Sequence, residues 1–162
     1  MSTRWPDALE DVDVLLVCST GGHLLQLYAL REAWEPYRHA WVTHDRSDSR
    51  SILAGEVVVN AYWPTIRNAK NLIRNALLAV RVIRRTRPTV ILTTGAALAV
   101  PFAWVGRIYG VKIVYVESLT RITSPSLSLR LIAPVAERIY VQWPELAGAL
   151  PSSRYVGSVF AA

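Results

Sequence analysis

The chain has one cysteine, Cys18, in 162 residues. That excludes an internal disulfide and argues against a cysteine-rich metal site; a reducing compartment fits. Lysine is almost missing as well: of 18 Lys and Arg residues only Lys70 and Lys112 are lysines. The net charge of +6 therefore rests on guanidinium groups that never titrate and that grip phosphate or carboxylate well. Anionic partners follow: lipid headgroups, nucleotides or nucleic acid. The opening residues MSTRWPDALED lack the apolar core of an export signal, so a cytoplasmic chain is expected. His23, His39 and His44 are not spaced with carboxylates as a ligand cluster, so no metal is expected. Residues 89–106 carry no charge and are long enough to span a membrane. Thr93-Thr94-Gly95 and Pro101 break that stretch into strand, turn and helix. No internal repeat or low-complexity segment shows, and a hydrophobic content of 52% suits one core. A single domain over 1–162 is expected, with 1–11 as a polar extension.

What is present is an alternation of short apolar runs with helical periods. Residues 14–17 read as a buried strand, Ser19-Thr20-Gly21-Gly22 as a tight turn, and 24–34, apolar at 24, 27, 30 and 34, as a helix packed on a sheet. Further strands are expected at 38–44, 57–60, 90–93, 112–116, 138–141 and 154–156. Between them, 45–51 reads as polar loop and 61–66 as a turn containing Trp63-Pro64. Helices are expected over 67–85, 98–109 and 126–134, with a helical turn from Pro144. The pattern implies an α/β fold, a Rossmann-like doubly wound parallel sheet with helices on both faces.

In such sheets ligands gather beyond the C-terminal strand ends. Gly21-Gly22-His23, Thr94-Gly95 and Glu117-Ser118 stand at three of these ends. Glycines admit a ligand close to the backbone, a helix N-terminus favours an anion, and imidazole exchanges a proton near neutral pH. A His and a Glu beside glycine turns suit general acid–base chemistry on a hydroxyl, with phosphate held by helix N-termini. The same residues also describe an ordinary turn and a helix cap. A dinucleotide site is disfavoured, because S-T-G-G-H-L-L lacks G-x-G-x-x-G spacing although Asp45 follows the second strand suitably. The arginines interleave with aliphatics and form no recognition motif, so no nucleic-acid partner is expected.

The helix expected over 67–85 gathers Arg67, Lys70, Arg74, Arg81, Arg84 and Arg85 within an arc of about 100°. Leu72, Ala76, Ala79, Val80 and Ile83 lie opposite, and Leu77 and Leu78 interrupt the basic face. One account is a solvated helix. The account favoured here is an interfacial helix on an anionic leaflet, where each cation adds roughly 1 kcal/mol and the leucines insert.

From Tyr115 onward, YVESLTRITSPSLSLRLIAPVAERIYVQWPEL resembles the acceptor-side subunit of split glycosyltransferases. That family holds the bacterial PssD-like polysaccharide enzymes and the eukaryotic asparagine-linked glycosylation protein fourteen. Glu117-Ser118, Arg121, Ser126-Leu127, Pro134 and Val141-Gln142-Trp143 carry the likeness. Ser19-Thr20-Gly21-Gly22-His23 looks like the family's first glycine loop, and Thr94-Gly95 through Val100-Pro101 like its second. The similarity runs over about residues 13–159, and a more distant likeness is to the N-terminal half of MurG, the lipid-linked N-acetylglucosamine transferase of peptidoglycan synthesis.

The resemblance implies the N-terminal half of a GT-B glycosyltransferase divided into two polypeptides. The reaction it implies is an inverting transfer from a UDP-sugar to a polyprenyl-diphosphate-linked saccharide. A donor-binding, PssE-like subunit would carry most of the UDP-sugar site. His23 is then the base for the acceptor proton, and Glu117 either orients that imidazole or is itself the base. Gly21, Gly22, Thr94, Gly95 and Ser118 would bind substrate; Arg121 would neutralise phosphate or form a structural salt bridge. Gln142, Trp143 and Phe160 would face the partner, with core packing as the alternative for the Gln142-Trp143 pair. Arg67, Lys70, Arg74, Leu77, Leu78, Arg81 and Arg85 would meet the inner face of the cell membrane. No cofactor or metal is required, since helix N-termini and basic groups stabilise a leaving diphosphate. Two departures matter. The membrane anchor common at the start of eukaryotic members is not seen, so the 67–85 helix and the partner must supply attachment; and Ala97 stands where the second loop has another glycine. The rival class is a non-catalytic membrane-recruiting scaffold for a complete transferase.

Overall fold

Short runs of branched apolar residues pair side by side in the computed structural model, which describes residues 9–65 and 68–160. The strands are β1 (Val14–Cys18), β2 (His39–His44), β3 (Val58–Ala61), β4 (Val90–Gly95), β5 (Lys112–Val116), β6 (Arg138–Val141) and β7 (Arg154–Tyr155). They form one sheet in the order β3-β2-β1-β4-β5-β6-β7, and each neighbouring pair is parallel. Strand addition reverses direction after β3, so the C-terminal ends of β1 and β4 adjoin at the switch point where such sheets hold ligands.

Alternate side chains of the strands feed two cores. Leu15, Val17, Ile91, Ile113 and Tyr115 point to one face, covered by α4 (Ala69–Thr86), α5 (Ala99–Ile108), α6 (Leu127–Ile132) and α7 (Pro144–Ala149). Val14, Leu16, Cys18, Leu92 and Val116 point to the other, where α1 (Gly22–Ala29), α2 (Arg31–Trp34) and α3 (Ser47–Ile52) pack. Among the described residues, cover on that second face is incomplete. Over β4, β5 and β6 an apolar trough of about 410 Å³ runs between Leu30 and Ala33 on one side and residues 156–159 on the other. Its floor is Leu92, Val114, Val116 and Tyr140, and it shares Ala33, Leu92 and Val114 with an adjoining hollow of about 470 Å³. Parallel sheets are ordinarily buried on both faces.

Several expected elements change in detail. The uncharged run splits into β4 and α5, and among the described residues no helix is long and apolar enough to cross a membrane. The single helix expected over 24–34 breaks at Leu30, where the Leu27 carbonyl accepts both the Leu30 N–H at 3.3 Å and the Trp34 indole N–H at 2.9 Å. The expected loop 45–51 contains α3; only Ser49 of that helix is buried, its hydroxyl donating to the His44 carbonyl at 2.7 Å. With one buried position, α3 has no apolar stripe for periodicity to find.

Helix α4 is rotated from the expected facing. Its inner face holds Asn71, Asn75, Leu78, Ala79, Val82, Ile83 and Thr86. The two asparagines are inside because they satisfy the preceding turn: Asn71 donates to the Pro64 carbonyl at 2.9 Å, and Asn75 pairs with both the N–H and the carbonyl of Tyr62 at 2.9 and 3.0 Å. A stripe read from apolar residues alone misplaces such a face. Leu78 thus belongs to the core rather than to the membrane-facing set, and Leu72 is exposed.

Candidate functional site

At the switch point the β1–β4 register shifts: Val17 lies opposite Thr93 and Cys18 opposite Gly95. Thr94 is the extra residue of this bulge, and bulges re-aim backbone groups at strand ends. Its carbonyl turns toward α1 and takes a hydrogen bond from His23 Nδ1 at 2.8 Å, while its hydroxyl donates to the His23 carbonyl at 2.7 Å. Two bonds therefore clasp residues 71 apart in sequence. Because a carbonyl only accepts, Nδ1 carries the proton, and in the neutral ring Nε2 keeps its lone pair. Among the described residues Nε2 has no hydrogen-bond partner, and the ring is half-buried at the start of α1.

The glycines divide. Gly21 has φ +77°, and its N–H donates to the Asp48 carboxylate at 2.7 Å. A side chain of α3 thus holds the amide expected to face substrate. The first turn of α1 carries no acidic residue, and no side chain caps it. Gly95 has φ +98°, and its N–H is taken by Thr93 Oγ1 at 3.0 Å. A Cβ there would collide with the Tyr115 hydroxyl and lie 3.1 Å from its Cζ. Close packing of β4 on β5 is what requires this glycine.

Glu117 lies at the end of β5 and is fully buried. Its carboxylate accepts the N–H groups of Ser118 and Ser126, both at 2.8 Å, and the Tyr115 hydroxyl at 3.4 Å. Tyr115 also reaches Ser126 Oγ at 3.2 Å and Ser128 Oγ at 3.3 Å. Burial first, then the Glu117 charge, pushes the Tyr115 phenol up to about 12, so it stays a neutral donor. The expected orienting role of Glu117 toward His23 is corrected: the imidazole is held by Thr94, and the carboxylate closes the 118–126 loop on itself. Ser118 Oγ bonds Thr120 Oγ1 at 3.0 Å within that loop. Arg121 is exposed beside them and makes no ion pair among the described residues.

Three residues expected to face a partner differ in placement. Gln142 is only 2% exposed, so its side chain is internal; Trp143 is half-buried and donates from its indole to the Leu119 carbonyl at 2.6 Å; Phe160 is exposed. Gln142 bonds Gln26 of α1, a residue with no sequence signal of its own. Asp48 and Tyr115 were equally silent, since their roles depend on which segments the fold brings together. Cys18 is buried, and burial pushes its thiol up, out of reactive range. Among the described residues no group of three or more His, Cys, Asp or Glu is placed to hold a metal ion.

On the opposite side of the sheet, α4 exposes Lys70, Ile73, Arg74, Leu77, Arg81 and Arg84 along one outer face. Ile73 and Leu77 are 62% and 54% exposed. Arg85 is drawn partly inward and pairs with Glu10 at 3.3 Å, which removes it from the free set. The Arg74 guanidinium lies over the Tyr62 ring at 4.4 Å. Arg67 lies outside the described residues.

Comparison with known proteins agrees with this architecture. The chain superposes on Acinetobacter baumannii MurG with a TM-score of 0.71 and 14% identity, covering 90% of this chain and 45% of that one. UDP-N-acetylglucosamine 2-epimerase from Rickettsia bellii gives a TM-score of 0.67 at 13% identity, over 93% of this chain and 46% of that one. This chain thus spans about half the length of those solved structures, which share its fold. By sequence, the human UDP-N-acetylglucosamine transferase subunit ALG14 is 25% identical over 183 residues, 93% of this chain and 84% of that protein. The Schizosaccharomyces pombe subunit of the same name is 40% identical over 77 residues, 44% of this chain and 37% of that protein. The pattern of the family described as "Oligosaccharide biosynthesis protein Alg14 like" matches residues 57–159. With well over half its length inside that pattern, the chain belongs to the Alg14-like family of oligosaccharide biosynthesis proteins.

Proposed function

We propose that this chain is the acceptor-side half of a two-component transferase that moves N-acetylglucosamine from its UDP derivative to a polyprenyl-diphosphate-linked saccharide. The relatives' names, transferase subunits for that sugar nucleotide, support the donor and the division. The observation that carries the chemistry is the His23 imidazole, pinned through Nδ1 to the Thr94 carbonyl with Nε2 left open. In this reading Nε2 takes the acceptor hydroxyl proton as the oxygen attacks the anomeric carbon, and UDP leaves with the electron pair of the broken bond. The imidazolium formed is stabilised by the Thr94 carbonyl, which already accepts its other N–H. Glu117 keeps the 118–126 loop closed, and Arg121 reaches from it to the acceptor diphosphate.

The donor half covers the apolar trough over β4, β5 and β6, completing a sheet that lacks a layer there. Attachment to the inner face of the cell membrane comes from α4. Residues 57–136 contain 11 of the 18 Lys and Arg residues and one acid, Glu117. That acid is buried and Glu10 engages Arg85 at the end of the helix, so along Lys70 to Arg84 an anionic leaflet meets cations and exposed aliphatics.

The test uses the complex purified from its native cell through a tag on this chain, supplied with UDP-N-acetylglucosamine and a synthetic polyprenyl-diphosphate-linked saccharide. His23→Ala is expected to lower turnover about a hundredfold or more while the melting temperature and the co-purifying partner are retained. Near-normal turnover would remove His23 as base; no transfer by the unaltered complex would remove the two-component reading. A full-length two-domain transferase as the co-purifying protein would favour the scaffold instead.

A further inference from the structure

Three segments that the chain order keeps far apart meet on two buried amides. Gln26 Oε1 accepts the Leu119 N–H and Gln142 Nε2, both at 2.8 Å, while Gln26 Nε2 donates to the Gly22 carbonyl at 3.1 Å. Gln142 Nε2 spends its second hydrogen on the Glu117 carbonyl at 2.8 Å. Its Oε1 accepts the Val159 N–H at 3.0 Å and the Ser158 hydroxyl at 3.3 Å. Neither amide can be flipped: the Val159 N–H needs an oxygen and the Glu117 carbonyl needs a hydrogen. Both side chains are nearly inaccessible, at 6% and 2% exposure; the bonds from Gln142 Nε2 to Gln26 and to the Glu117 carbonyl are fully buried and the other four partly so, and breaking a buried one leaves a bare polar group.

The positions of the three ends give the pair its meaning. Gly22 is the residue before His23 and opens α1. Leu119 belongs to the loop that Glu117 closes, and its carbonyl holds the Trp143 indole. Ser158 and Val159 form one wall of the apolar trough, which Gln142 itself also lines. A displacement of that wall therefore changes what Gln142 can offer to Gln26, and Gln26 is one turn of α1 from the imidazole.

We propose that Gln26 and Gln142 are positioning residues for sugar transfer, an amide pair through which seating of the 158–159 wall by a polypeptide in the trough sets His23 and the 118–126 loop in register. This rests on the two-component reading above. The pair touches no reacting atom; it makes the half-site's geometry depend on whether its trough is filled.

The experiment compares the tagged native complex carrying Gln26→Ala, Gln142→Ala or both. Each single variant is expected to lower kcat about tenfold, with acceptor KM and partner Kd changed by less than about threefold. The double variant should be no worse than the poorer single, because the two amides act as one unit. Unchanged kcat, or losses of kcat that multiply, overturns the proposal. Hydrogen exchange on the unaltered chain, free and in complex, covers the case in which the variants do not fold. Slower exchange at both Val159 and Leu119 on complex formation supports the coupling, and protection of Val159 with Leu119 unchanged refutes it. An unaltered complex without transfer activity removes the two-component reading and this inference together, an outcome distinct from an active complex whose Leu119 does not respond.

Discussion

Gly95→Ala isolates the packing that aligns the site. At φ +98° the backbone lies where residues with a side chain are strained, a cost of about 1–3 kcal/mol. The new methyl would also run into the Tyr115 hydroxyl and approach Ser128 Oγ to 3.4 Å, adding about 1–3 kcal/mol of overpacking. Together the loss is about 2–6 kcal/mol, a large share of the 5–15 kcal/mol typical of a domain. The two contributions separate in a double-mutant cycle with Tyr115→Phe. That change removes the colliding oxygen and leaves Cζ at 3.1 Å, so in the Phe background the strain and a tight residual contact should remain. The coupling energy is then the part of the overpacking due to the hydroxyl, at most about 1–3 kcal/mol, favourable to the double variant. Urea unfolding of the four proteins, followed by far-ultraviolet circular dichroism, supplies the cycle. Gly21→Ala is the internal control: it has φ +77° but nothing within 4 Å of the added carbon, so it should show strain without coupling to Tyr115. Equal costs of Gly95→Ala in the Tyr and Phe backgrounds, within about 0.5 kcal/mol, would refute the account of this glycine as a packing requirement.

Two further outcomes are expected. Burial, with the Arg46 charge adding to it, holds the pKa of His44 below the ordinary 6.5, so the unfolded chain binds a proton that the folded chain resists. Stability from this group is complete above about 6.5 and is lost as pH falls through the interval below it, by at most about 1.4 kcal/mol per pH unit. Urea midpoints between pH 7 and 5 should fall less steeply for His44→Gln than for the unaltered chain, and parallel slopes would contradict the buried, neutral ring. On α4, changing Arg74, Arg81 and Arg84 together to Glu should reduce partitioning onto phosphatidylglycerol vesicles by about two orders of magnitude. Flotation that survives the charge reversal would rule out electrostatic attachment through this face.

The sheet was readable where a strand is mostly apolar and sharply bounded. β5 and β6 have the expected limits because each opens on an exposed charged residue, Lys112 or Arg138, followed at once by an apolar run. Periodicity failed where burial is polar: Ser49 inside α3, and Asn71 and Asn75 inside α4, each drawn in by a backbone group that needs a partner. Within the site, Gly21-Gly22-His23 was legible because its parts are contiguous. The hydrogen bond from His23 to Thr94 and the contact of Gln26 with Gln142 depend on the bulge and on strand order, which no local window contains. Gly95 shows the converse case: a glycine read as a ligand contact is occupied by close approach of the neighbouring strand.

The uncovered trough also bears on the life of the chain in the cell. An apolar hollow of this size is a surface that another copy, a chaperone or a protease adaptor can bind. If the two-component reading holds, copies made in excess of the partner that fills it are expected to self-associate or be cleared, and filled copies to persist. On the two-component reading the supply of finished complexes would then follow the scarcer component.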